Sequence, residues 1–126
     1  MTEIKKFPKR GEIWLLKNTE KIEELGKDYR PILIISNDIQ NQWDKKIVGL
    51  PLTSEDINHI ESFSVFINNT VSTGLDYPSK ILCHTPFTLE KELRLKECLG
   101  KINSEILKRL NWPDKLLLIE NKIKLF

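Results

Sequence analysis

Cysteine is scarce in this sequence: the two residues, Cys83 and Cys98, have no C-x-x-C spacing and no ligand set beside them. That excludes a readable zinc site or disulfide framework and leaves two reduced, partly buried thiols as the expectation. Long apolar runs are absent as well. No stretch approaches the ~18 consecutive apolar residues of a spanning helix, and Met1 to Lys6 lack the apolar centre of a secretion signal. A cytoplasmic protein with no membrane partner is therefore expected. An excess of one charge is also missing, since 20 Lys and Arg against 18 Asp and Glu leave a net charge of +2. So small a surplus cannot coat the phosphates of a long duplex, and any nucleic-acid site has to be local. With 5 Gly and 6 Pro, fibrous and low-complexity classes are excluded. What remains is globular: 40% hydrophobic and 30% charged over 126 residues, the size of one domain spanning 1–126 with a real core.

The order of apolar bursts predicts a β-rich chain that ends in helices. Gly11 to Leu16 reads as a first strand, and the charged stretch from Lys17 to Tyr29 as a connection, with a turn of helix over Glu20 to Leu25. Pro31 to Ile35 is an unbroken apolar run, the pattern of a central strand buried on both faces. Ser36, Asn37 or Asp38 can each cap a short helical turn over Ile39 to Trp43. A third strand, Ile47 to Leu52, ends at Thr53-Ser54-Glu55-Asp56, and shorter strands follow at Phe63 to Ile67, Lys80 to Cys83 and Phe87 to Leu89. That gives about six strands. Beyond Gly100, Asn103 or Ser104 can cap a helix carrying Ile106, Leu107 and Leu110, and Asn111 can cap a second around Pro113 with Leu116, Leu117 and Ile123 inward. Strands followed by terminal helices imply a compact, barrel-like β domain.

Two polar clusters fall on strand ends: Lys27-Asp28-Tyr29-Arg30 before the central strand and Thr53-Ser54 after the third. If those strands pair antiparallel, Arg30 and Thr53 become neighbours. A guanidinium beside a hydroxyl suits cleavage of a phosphodiester by the substrate's own 2′-hydroxyl, because negative charge builds on the phosphoryl oxygens. Arg offers bidentate donors to those oxygens and Thr a short neutral one, and this chemistry demands no metal. From residue types alone, a surface salt bridge for Arg30 and a turn cap for Thr53-Ser54 are the stronger readings.

Arg10-Gly11-Glu12-Ile13-Trp14-Leu15, then Arg30-Pro31-Ile32-Leu33-Ile34-Ile35-Ser36-Asn37-Asp38, Asn41, and Pro51-Leu52-Thr53-Ser54 resemble, in order and spacing, successive motifs of the MazF/PemK toxin endoribonucleases. The similarity runs on through Ser79 to Leu82 and Cys83 to Thr88. The resemblance implies an SH3-like or CcdB-like barrel with added helices, acting as a homodimer. It implies sequence-selective cleavage of single-stranded mRNA without a metal or other cofactor, and neutralisation by an antitoxin whose acidic disordered segment covers the groove. Carried onto this chain, the working arginine is Arg30 and its hydroxyl partner Thr53, with Ser54, Glu24, Lys27, Asn37 and Ser79 on the RNA side.

Departures fall around Leu82-Cys83-His84 and Thr85-Pro86-Phe87, where some relatives carry Arg, Asp and Gln. His84 stands there as a candidate acid or base, since imidazole exchanges a proton near neutrality, or as a histidine that only hydrogen-bonds within a strand. His59 reads as surface. Trp14 and Trp112 suit core or dimer contacts, and Trp43 suits stacking on an unpaired base. Two other functions fit the same barrel: a CcdB-like gyrase poison that cuts nothing, and an inactive relative that only binds RNA or protein. The first relies on a Trp-Gly-Ile C-terminus, where this chain ends Lys124-Leu125-Phe126.

Overall fold

A computed structural model describes residues 7–17 and 29–110 of the chain. Seven strands and three short helices follow in the order β1 (Glu12–Lys17), β2 (Tyr29–Ile34), α1 (Asp38–Trp43), β3 (Lys46–Thr53), β4 (Ser64–Ile67), β5 (Ser79–Leu82), β6 (Phe87–Glu90), α2 (Lys91–Arg94), β7 (Leu95–Lys101) and α3 (Ser104–Leu110). All pairings are antiparallel, along the path β4-β5-β3-β2-β1-β7, with β6 also paired to β3. The fold is mainly β, as expected. The barrel is not closed, because among the described residues β4 and β7 end the path without meeting.

Each face of the sheet buries its own cluster. Ile13, Leu33, Leu50, Leu52, Val65 and Ile81 pack on one side together with Ile106 and Leu110 of α3. Leu16, Ile32, Ile34, Ile47 and Leu89 pack on the other, with Trp14, Phe87 and Leu95 against them. The unbroken run in β2 follows from this, since Ile32 and Ile34 serve one cluster while Leu33 and Ile35 serve the other.

β3 is the hub. Gly49 pairs with Ile34 on one edge and with Phe87 on the other. Val48 accepts from the Ile35 amide at 2.9 Å and donates to Ser36 Oγ at 3.0 Å, so its polar groups face β2, and alternation turns those of Gly49, Pro51 and Thr53 toward β5 and β6. Between Leu52↔Ile81 and Gly49↔Phe87, two residues of β3 stand against five, 82–86. β5 and β6 are thus one strand interrupted by a three-residue insertion opposite Pro51, the residue that has no amide to offer a partner there.

Two of the predicted caps form, and that of Asn111 lies outside the described residues. Asn37 Oδ1 accepts from Gln40 N at 2.8 Å to open α1, and Asn103 Oδ1 accepts from Ile106 N at 2.9 Å to open α3. Lys91 Nζ closes the other end of α1, donating to Asn41 O at 2.6 Å and Gln42 O at 3.0 Å. Two elements depart from expectation. α2 is an unforeseen single turn, and β7 adds a strand beyond the six. Two register shifts against β1, at Ile13/Trp14 and Leu15/Leu16, scramble the alternation in Leu95–Lys101 by which a strand is recognised. Cys98 on β7 is exposed rather than partly buried, while Cys83 is buried. The turn at Glu20 to Leu25, Trp112 and the helix after Pro113 lie outside the described residues.

Candidate active site

The β2–β3 ladder stops at Ile32↔Pro51, and at that open end a cleft of 520 Å³ begins. Its floor is Leu15, Pro31 and Leu52, one wall is Thr53, Ser54 and Glu55, and the facing wall is Gly74 to Tyr77 with Glu97 and Leu99 of β7. The facing wall is held by two glycines. A Cβ on Gly74, whose φ is +69°, would stand 2.0 Å from Leu99 O, and one on Gly100 would stand 2.2 Å from Ser72 O. The 71–74 turn therefore lies flat on β7, joined by the Lys101 N to Ser72 O bond of 2.9 Å.

Arg30 reaches across the ladder end. Its Nη2 donates to Leu52 O at 3.1 Å, fixing the guanidinium plane, while its buried Nε has no partner among the described residues. Burial pushes the Arg30 pKa below its ordinary value, and the charge of Glu55 acts in the opposite sense. A partly dried cation interacts more strongly with an entering anion than a solvated one. Thr53 Oγ1 accepts from the Glu55 amide at 3.1 Å, which leaves its own proton free to point at another acceptor. Ser54 is exposed on the lip, and Ser79 is buried with its hydroxyl donating to Tyr77 O at 3.0 Å. Tyr77 presents a ring that is 68% exposed.

Behind the Thr53 wall, the 54–63 loop is moored from inside. Lys80, 4% exposed and paired in register with Thr53, donates from Nζ to Asp56 O at 3.3 Å, His59 O at 3.0 Å and Glu61 Oε1 at 3.1 Å. The Glu61 carboxyl is held down to about 2, first by its own backbone amide and then by Lys80.

Arg30, Thr53, Ser54 and Ser79 thus share one cleft. His84 does not line it: the residue sits in the insertion between β5 and β6 with its ring 4.2 Å from that of Phe63. Asn37 is the N-cap of α1 and lines a separate cleft of 890 Å³. Glu24 and Lys27 lie outside the described residues. Trp43, 78% exposed, stands between that second cleft and a third of 610 Å³. His59 is exposed, as expected, with its backbone oxygen taken by Lys80. Glu55, Asp76, Tyr77 and Glu97 were not picked out as site residues in the sequence. Only Glu55 carried a signal, by following Thr53-Ser54 in the polar run that ends β3.

Fold and cleft together define a small antiparallel β protein with a partly buried arginine and a hydroxyl at a strand-pair opening. The chain belongs to the PemK-like, MazF-like toxin family of type II toxin–antitoxin systems, whose family model matches residues 9–112. Solved structures similar to it include MazF from Deinococcus radiodurans, at 19% identity and a TM-score of 0.72 over 93% of this chain and 99% of that one. An endoribonuclease in complex with its cognate antitoxin from a mycobacterial species is similar at 20% identity and 0.67, covering 90% and 97%. The Mycobacterium tuberculosis toxin MazF-mt6 gives 18% and 0.65, covering 90% and 96%. A search of curated proteins returned no significant match.

Proposed function

We infer that this protein is the toxin of a type II pair and an endoribonuclease that cuts single-stranded mRNA sequence-selectively and without a metal. The observation that carries this reading is the convergence of Arg30 and Thr53 on one cleft at the open end of the β2–β3 ladder. Single-stranded RNA enters with one phosphate against Arg30. The 2′-hydroxyl preceding that phosphate attacks phosphorus, and the products are a 2′,3′-cyclic phosphate and a 5′-hydroxyl. Arg30, steered by Leu52 O, places its remaining donors on the oxygens where charge accumulates, and Thr53 gives a further hydrogen bond to the same centre. Tyr77 offers a face on which an unpaired base stacks, with Ser54 and Ser79 beside it. The proposed assembly is a cytoplasmic homodimer, and its antitoxin covers the cleft with an acidic disordered segment that folds on binding.

The test is incubation of the purified protein with a long single-stranded RNA in EDTA, beside Arg30→Ala and Thr53→Ala. Each variant is expected to lose about 10²–10³-fold in rate, the scale of one donor to a developing oxyanion. RNA left intact by the wild type at micromolar concentration would end this reading. Arrest of DNA gyrase in that case would point to the poison instead.

A further inference from the structure

We propose that Glu55 is the general base of this cleft, taking the proton from the attacking 2′-hydroxyl. The inference rests on the RNA-cleaving reading and supplies the group that reading lacks. Attack by a hydroxyl requires an acceptor for its proton, yet among the described residues no histidine lines the cleft and His84 is packed on Phe63 in the β5–β6 insertion. Among the described residues three carboxylates line it: Glu55, Asp76 and Glu97.

Position separates the three. Glu97 is on β7, opposite Leu15, which is itself opposite Pro31. It therefore stands two strand spacings from β2, roughly 10 Å away. Asp76 belongs to the wall that Gly74 presses onto β7. Glu55 alone is tied to the phosphate-handling pair. Its amide donates to Thr53 Oγ1 at 3.1 Å, so its backbone is fixed relative to that hydroxyl. Its charge is the one felt by the Arg30 guanidinium. Even so, the two do not close into an ion pair among the described residues, and Glu55 is exposed, so carboxylate and guanidinium both remain open to a ligand that enters between them.

The step balances without a further reagent. The 2′-O–H proton passes to the Glu55 carboxylate while the 2′-oxygen bonds to phosphorus. The P–O5′ bond then breaks with its electron pair on the 5′-oxygen, which takes a proton from solvent water. Arg30 holds the charge that the proton leaves behind on the phosphorane, and Thr53 donates to the same centre.

The experiment measures kcat, KM and the pH–rate profile of wild type, Glu55→Gln and Glu55→Ala on a defined RNA, with added acetate as a chemical substitute. Glu55→Gln should lose about 10²–10³-fold in kcat, within the usual range for a positioned acid or base, with KM and melting temperature unchanged. The acid limb of the wild-type profile should be absent from that of Glu55→Gln, and acetate should restore part of the Glu55→Ala rate. Wild-type cleavage with Glu55→Gln within threefold and the same profile overturns the inference while leaving the nuclease reading intact. A loss with an unchanged profile and no acetate rescue also overturns it, assigning Glu55 an electrostatic role. If the wild type cuts no RNA, the nuclease reading fails and takes the inference with it.

Discussion

Replacing Gly100 by alanine tests whether the 71–74 turn is what shapes the cleft. The added Cβ would meet Ser72 O at 2.2 Å and Thr73 C and O at 2.6 Å, all backbone atoms that cannot rotate away. The turn has to lift, which strains or breaks the Lys101 N to Ser72 O bond of 2.9 Å. Forced over-packing costs about 1–3 kcal/mol, and a lost hydrogen bond adds about 0.5–1.5 kcal/mol, so about 3 kcal/mol is expected. For a chain of this length, at roughly 4 °C per kcal/mol, the melting point should fall by about 12 °C. Gly11→Ala is the control. There the φ of +93° makes alanine unfavourable, but the nearest atom to a Cβ is a side-chain carbon of Ile102 at 3.7 Å. Only the conformational cost of about 1–2 kcal/mol applies at that position. Thermal melts followed by circular dichroism, with urea midpoints as a second measure, decide the matter. Because the lifted turn carries Gly74 to Tyr77, cleavage by Gly100→Ala should also weaken at temperatures where the protein is still folded. A variant that melts within 2 °C of wild type, or no lower than Gly11→Ala, would refute the close approach.

Other expectations concern the same region. Lys80→Met keeps the aliphatic stem but removes the mooring of the 54–63 loop; cleavage should fall while the secondary structure seen by circular dichroism persists, and an unchanged rate would show that the loop holds itself. The depressed carboxyl of Glu61 gives a stability contribution fully present above about pH 4.5 and lost as pH falls toward about 2, so urea midpoints of wild type should fall across that window by a component missing from Glu61→Gln. His84→Gln should leave the pH–rate profile unchanged, because the ring is not in the cleft; a displaced limb would return it to the mechanism. Leu50→Ala, which empties a fully buried position in the core cluster that α3 also joins, should cost about 2–5 kcal/mol in urea unfolding.

The apolar runs made β1, β2 and β3 readable, because each buries enough continuous surface to show in composition. The juxtaposition of Arg30 and Thr53 followed from nothing more than antiparallel pairing of two such runs. β7 escaped because a strand with two register shifts and Lys96, Glu97 and Gly100 in its middle has no period to detect. That omission hid Glu97 and the whole facing wall of the cleft, which depends on a contact between a turn and a strand that share no motif. His84 is a different case: imidazole chemistry makes it a candidate, and the structure seats it against Phe63 in the insertion between β5 and β6, outside the lining of the Arg30 cleft.

The pairing of β1 with β7 also sets an order of events during synthesis. Arg30 and Leu52 are 22 residues apart, so the Arg30–Thr53 edge of the cleft is a local pairing that forms once β3 has emerged. The opposite wall waits for Glu12↔Lys101, the pairing that joins nearly the two ends of the described sheet. A nascent chain that has not yet released Lys101 carries Arg30 and Thr53 but lacks the β7 wall of the cleft.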